Sequence, residues 1–142
     1  MIYRSNEKGK LEEALEKGEY YFHDGIAKAF NYDFAGKKVE FFVKSYDNYL
    51  IKMHFKNVVF LYLTNQKFLY EEGWNKLYVL DVGLEESTKM FDCMVKERES
   101  NKFYDDIADY SEMFNFGIQK LDGTEIFIVC DEIEINKIYD ED

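Results

Sequence analysis

The sequence predicts an α+β fold that is mainly antiparallel β, a sandwich or open barrel of about eight strands with two or three short helices. Three observations predict it. Runs of apolar residues alternate with polar ones at a period of two through 26–64 and again through 114–135. Short turns rich in Gly, Asn and Asp separate those runs, as hairpin connections require. Thirteen Phe and twelve Tyr, with no proline, suit pleated strands, which accommodate aromatic side chains better than helices do. A chain of 142 residues has the length of one domain, spanning 1–142, and can bury roughly 70% of its unfolded surface.

The elements follow in order. "KLEEALEKG" (10–18) predicts a short helix, with Leu11, Ala14 and Leu15 on one face and Gly18 as the stop. "IAKAFNYDF" (26–34) sets Phe30, Tyr32 and Phe34 on one face of a strand, and "AG" turns the chain. "KKVEFFVKS" (37–45) aligns Val39, Phe41 and Val43, and "YDN" turns it again. "YLIKMHF" (49–55) places Tyr49, Ile51, Met53 and Phe55 on one side, with Leu50, Lys52 and His54 on the other. "NVVFLYLT" (57–64) is apolar on both faces, as a covered central strand would be. Those four runs read as an antiparallel meander. "WNKLYVLDV" (74–82) makes a fifth strand.

"LEESTKMFDCMVKER" (84–98) has the strongest helical period, with Glu85 and Glu86 in its first turn and Lys96 and Arg98 in its last, matching the helix dipole. "KFYDDIADYSEM" (102–113) reads as a second short helix or an acidic loop. The chain then returns to period two. Phe114, Phe116 and Ile118 share a face, "DG" at 122–123 signals a hairpin, Ile126, Ile128 and Cys130 share a face, and Ile133 and Ile135 close the pattern.

The formal charge of -11 is unevenly spread: residues 1–80 hold 12 Lys/Arg and 11 Asp/Glu, whereas residues 81–142 hold 6 and 18. Such a balance gives no long-range attraction to nucleic acid or anionic lipid. An acidic half suits a basic protein partner, although acidic residues also serve solubility alone. The candidate partner-binding residues are Asp105, Asp106, Asp109 and Glu112, then Asp131, Glu132 and Glu134, with Trp74 as an aromatic anchor. No apolar run approaches the ~18 residues that span a bilayer, and the N-terminal stretch lacks the apolar core of a secretory signal. Cys93 and Cys130 stand alone, without CxxC spacing, so free thiols and a cytoplasmic location are expected.

Chemistry has few candidates. His23 and Asp24 in "YFHDG" form a His-Asp pair, and His54 is the one other histidine. That is too few for a recognisable metal site, so no metal or cofactor is expected. Asp24 is expected to bond backbone amides in a turn, Gly25 to take positive φ, and His23 to pack where the sheet begins. Cys93 and Cys130 read as small buried hydrophobes rather than nucleophiles. The glycines build no phosphate-binding loop. No catalytic residue is assigned, and a non-enzymatic role is expected.

Three stretches resemble small bacterial immunity proteins, which neutralise toxins delivered between competing cells: "FHDG" before the first strand, "KKVEFFVKSYDNYLIKMHFKNVVFLYLT", and "FGIQKLDGTEIFIVCDEIEI". They cover residues 22–64 and 114–135. The resemblance implies a cytoplasmic, β-rich binder without enzymatic activity, in which the His-Asp pair marks the start of the sheet. Contact residues vary widely in such families, so it transfers no site. The function expected is therefore binding and neutralising a cognate toxin, such as a nuclease, through an acidic surface. The alternative is a small-ligand-binding β-barrel or sandwich lined with Phe and Tyr. The oligomeric state is open at this level.

Overall fold

The computed structural model describes residues 1–64, 79–84, 112–120 and 125–140. Their elements are β1 (Ile2–Arg4), a single 3₁₀ turn (Ser5–Glu7), α1 (Lys8–Glu16), β2 (Ile26–Asp33), β3 (Lys38–Lys44), β4 (Tyr49–Lys56), β5 (Phe60–Thr64), β6 (Val79–Leu84), β7 (Phe114–Lys120), β8 (Glu125–Cys130) and β9 (Glu132–Tyr139). The strands form two antiparallel sheets, ordered β1-β9-β4-β3-β2 and β5-β8-β7-β6.

The helix stops where the sequence places its glycine. Gly18 has φ +74, its N–H donates to the Leu15 carbonyl, and the Glu19 N–H reaches the Ala14 carbonyl. That pair of bonds is a Schellman cap, and a left-handed residue is what it needs. Leu11 and Ala14 are buried, so α1 seals the core with the face predicted for it.

The sheets share one core. Val39, Phe41, Val43, Ile51, Met53, Phe55, Ile133 and Ile135 enter it from the first sheet, and Phe114, Phe116, Ile118, Ile126, Ile128 and Cys130 from the second. Phe55 and Phe116 meet across it, with ring centroids 5.2 Å apart. Each of these positions belongs to the inward set of its period-two run.

Two strands pass from one sheet to the other side by side. β4 lies opposite β9 from Tyr49↔Tyr139 to Lys56↔Glu132, and β5 lies opposite β8 from Phe60↔Val129 onward. Residues 57–59 thus face only residues 130–131. The extra residue bends the ribbon, as a bulge does where a strand switches sheets. Asn57 takes φ 55, a conformation asparagine tolerates. The corner stays bonded: the Val59 N–H donates to the Val129 carbonyl at 2.9 Å and the Asp131 N–H to the Lys56 carbonyl at 3.3 Å.

The structure corrects three expectations. The meander holds for β2, β3 and β4, but β5 lies on the edge of the second sheet among the described residues. β8 is buried on both faces, as is β7 over 114–118; it sends Ile126, Ile128 and Cys130 to the shared core and Phe127 and Val129 to a second cluster with Phe60, Tyr62 and Met113. The face of β2 expected to be apolar opens progressively: Phe30 packs on the core, Tyr32 is 39% exposed and Phe34 83% exposed. Among the described residues β2 is the last strand of its sheet, and that face runs out past the core. Finally, the described residues contain one α-helix rather than two or three. The helices expected over 84–98 and 102–113 fall outside them, except that Leu84 ends β6 and residues 112–113 form a turn.

Because Phe116 has no exposed surface and abuts Phe55, Phe116→Ala opens a void shared by both sheets. The expected loss is about 3–5 kcal/mol in chemical denaturation, with an unchanged m-value.

Candidate functional site

The His-Asp pair lies in a tight turn leading into β2. Phe22 is buried, and its carbonyl accepts the Gly25 N–H at 2.9 Å. The left-handed residue is Asp24 (φ 62), not Gly25 as expected. Glycine is needed at 25 for space: a Cβ there would sit 2.6 Å from Val43 Cγ1 and 2.9 Å from the Phe22 carbonyl oxygen. His23 does not pack into the sheet. Its side chain is 50% exposed, with Nε2 3.7 Å from Asp24 Oδ2 and its ring edge-on to Tyr21. His54 lies on the outer face of β4, as the alternation requires. Its Nδ1 is 3.5 Å from Glu40 Oε1, and its ring meets Phe42. Among the described residues no three His, Cys, Asp or Glu side chains converge to hold a metal ion.

The acidic residues of β9 are gathered around basic ones. Glu132 and Glu134 each reach Lys56 Nζ at 3.3 Å, and Arg4 Nε lies 3.8 Å from Glu132. The register dictates this, since Glu132 stands directly opposite Lys56 on one side and Arg4 on the other. Bonding to Lys56 holds the Glu134 carboxyl below the usual carboxylate range, and the two glutamates raise the Lys56 ammonium above its usual value. Asp131, at the corner, accepts the Ser5 hydroxyl at 2.9 Å. Asp140 lies 3.7 Å from Lys44 Nζ. Glu112 is exposed in the turn before β7. Asp105, Asp106, Asp109 and Trp74 lie outside the described residues, as does Cys93.

Cys130 is fully buried, and desolvation pushes its thiol far above the usual range, which disfavours the thiolate a nucleophile needs. Tyr3 and Tyr20 share a buried hydroxyl–hydroxyl bond of 3.1 Å. Burial and that bond raise the Tyr3 phenol well above its ordinary value.

One feature escapes the sequence reading. Asp24, Ile26, Lys44, Ser45, Tyr46 and Asn48 line a groove of about 400 Å³ where the turn into β2 meets the β3–β4 turn. The Ser45 hydroxyl donates to the Asp47 carboxylate and accepts the Tyr49 N–H, which fixes one wall. The only signal for it was the polar turn "SYDN", which marks a loop and not a cleft. No transmembrane candidate exists among the described helices. No family model matches the chain, and no curated protein matches it.

Two outcomes are expected. Gly25→Ala forces Val43 or the Phe22 carbonyl to move, at about 1–3 kcal/mol of stability measured by denaturant titration. The Lys56 cluster sets a pH dependence. Glu134 has a depressed folded pKa, so its contribution is present above the ordinary glutamate value of about 4.3 and is lost as pH falls through the lowered value. Lys56 has a raised folded pKa, so its contribution is present below about 10.4 and is lost as pH rises through the raised value. Thermal midpoints against pH should show both declines in the wild type, and both should flatten in Lys56→Met.

Proposed function

We propose that this chain is a non-enzymatic, immunity-type protein that binds and neutralises a cognate bacterial toxin through acidic side chains of its second half. One observation supports the reading: the acidic side chains of β9 and its ends have intramolecular partners, and a second acidic run in the sequence precedes β7. Glu132 and Glu134 pair with Lys56, Asp131 with Ser5, and Asp140 with Lys44. Residues 85–112 hold 9 acidic and 4 basic side chains, including Asp105, Asp106, Asp109 and Glu112. With 9 acidic and 4 basic side chains that run has a net charge of -5, which suits a basic partner. A toxin that grips phosphates presents a basic groove, and carboxylates entering it would occlude the site by charge mimicry.

A small-ligand role would draw on the groove beside Lys44 and Tyr46, whose volume is within the usual range for ligand sites. The groove is open and mixed in charge. The Phe side chains that such a role would line a cavity with instead pack on one another, as Phe55 does on Phe116. This favours the protein-binding reading.

The test combines co-expression with kinetics, using as candidate toxin the product of the gene immediately upstream. Wild type should restore growth, and association should slow as salt rises from 0.1 M to 1 M, where the Debye length falls from about 10 Å to about 3 Å. The triple variant Asp105→Asn, Asp106→Asn, Asp109→Asn should associate at least about tenfold more slowly with little change in dissociation rate or thermal midpoint. Equal association rates for the two proteins would remove this cluster from the interface, and failure to protect cells would remove the toxin reading.

A further inference from the structure

Among the described residues β2 ends the first sheet and pairs only with β3. Edge strands expose a row of backbone donors and acceptors, and proteins commonly blunt such edges with bulges and charges. β2 is blunted at one end only. A register shift between Ala27 and Ala29 leaves Lys28 in a bulge. From Ala29 to Asp33 the strand is regular, paired residue for residue with β3. This regular stretch carries the exposed aromatics. Tyr32 is 39% and Phe34 83% exposed, and their rings stack edge to face with centroids 5.1 Å apart.

We propose that a second copy of this chain adds across the open edge of β2, antiparallel, to form a continuous ten-stranded sheet with Asn31 at the twofold axis. Three features of β2 fit this occupant. First, a twofold axis perpendicular to the sheet keeps each residue on its own face, so the inward-side aromatics of one copy must meet those of the other. With Asn31 opposite its counterpart, Phe30 faces Tyr32 of the second copy on both sides of the axis. Aromatic cross-strand pairs of this kind are favourable. Second, the charges allow antiparallel pairing. With Asn31 on the axis, Lys28 stands opposite Phe34 of the second copy and Asp33 opposite Ala29. No like charges fall opposite each other. Third, Phe34 lies just past the strand, where it meets the aliphatic stem of the second copy's Lys28, so the most exposed aromatic of this edge gains a cover. An isologous contact also closes on itself, which limits addition to two copies.

The test is sedimentation velocity across a concentration series with the intact protein. The wild type should move from 17.0 kDa toward twice that mass with rising concentration. Phe34→Lys places a second cation beside Lys28 of the other copy, and Lys28→Asp removes the aliphatic stem that covers Phe34 of the other copy. Each should raise the dissociation constant at least about tenfold, the equivalent of ~1.4 kcal/mol. Both positions are exposed, so far-ultraviolet spectra and thermal midpoints at low concentration should match the wild type. A wild type that remains monomeric to about 1 mM, weaker than ~4 kcal/mol of association, would overturn the proposal and leave the edge to a strand of another protein. A dimer indifferent to both substitutions would overturn it equally. Toxin protection does not enter this measurement, so its outcome is independent of the proposed function.

Discussion

The structure depends on one bent ribbon. β4 continues into β5 and β8 into β9, and the two strands turn the corner together without losing each other. The bend allows one antiparallel pair to serve two sheets. It folds Phe55 and Ile133, which precede and follow the corner on one side, over Ile128 and Cys130 on the other. Had residues 57–59 matched 130–131 one for one, the period-two pattern would have run on in one sheet. The core would then have been split between two faces. The extra residue at Asn57–Val59 shifts the alternation at the point where the sheet changes. Val58, buried there, donates its N–H to Lys37, so the β2–β3 turn is tied to the same corner.

Charge is consumed by that same geometry. Strand pairing sets side chains on neighbouring strands about 5 Å apart, so register decides which ions meet. Glu132 falls between Arg4 and Lys56, and Glu134 falls opposite His54 and within reach of Lys56. Read along the chain, "DEIEI" is an acidic segment with two isoleucines. In three dimensions the isoleucines are core and the glutamates form a partly exposed cross-strand network with basic neighbours. Composition shows the sign of a segment's charge but not whether another strand neutralises it.

Much of the fold was legible because its period-two runs are long. The inward residues of β3, β4, β7, β8 and β9 can be read directly from the alternation, and the Gly18 stop and the DG hairpin carry their own chemistry. What was not legible involves non-local pairing. "NVVFLYLT" and "TEIFIVC" have the same apolar density, and nothing local says that the first would lie on an edge and the second between neighbours. The exposure of Tyr32 and Phe34 has the same origin, since alternation reports a face and not how far the opposing sheet extends. At the candidate site, the turn at "HDG" was legible, but the way it is built was not. The left-handed residue is Asp24, and Gly25 is required by Val43, which lies eighteen residues away in the chain.

The order of the first sheet separates its two candidate surfaces. β1, β9 and β4 carry the charged network and the corner, whereas the open edge belongs to β2, three strand spacings from β9. At about 4.8 Å per spacing that is roughly 14 Å, beyond one Debye length at physiological salt. A contact at the β2 edge therefore leaves the Lys56 network electrostatically undisturbed. Pairing across β2 would also extend the sheet without moving β4 or β9, because the added strand bonds to backbone groups on the side away from β3. The ribbon that organises the core and the strand available for association are thus different parts of one sheet, linked through β3, through the Val58–Lys37 bond at the corner and through Phe30 in the shared core.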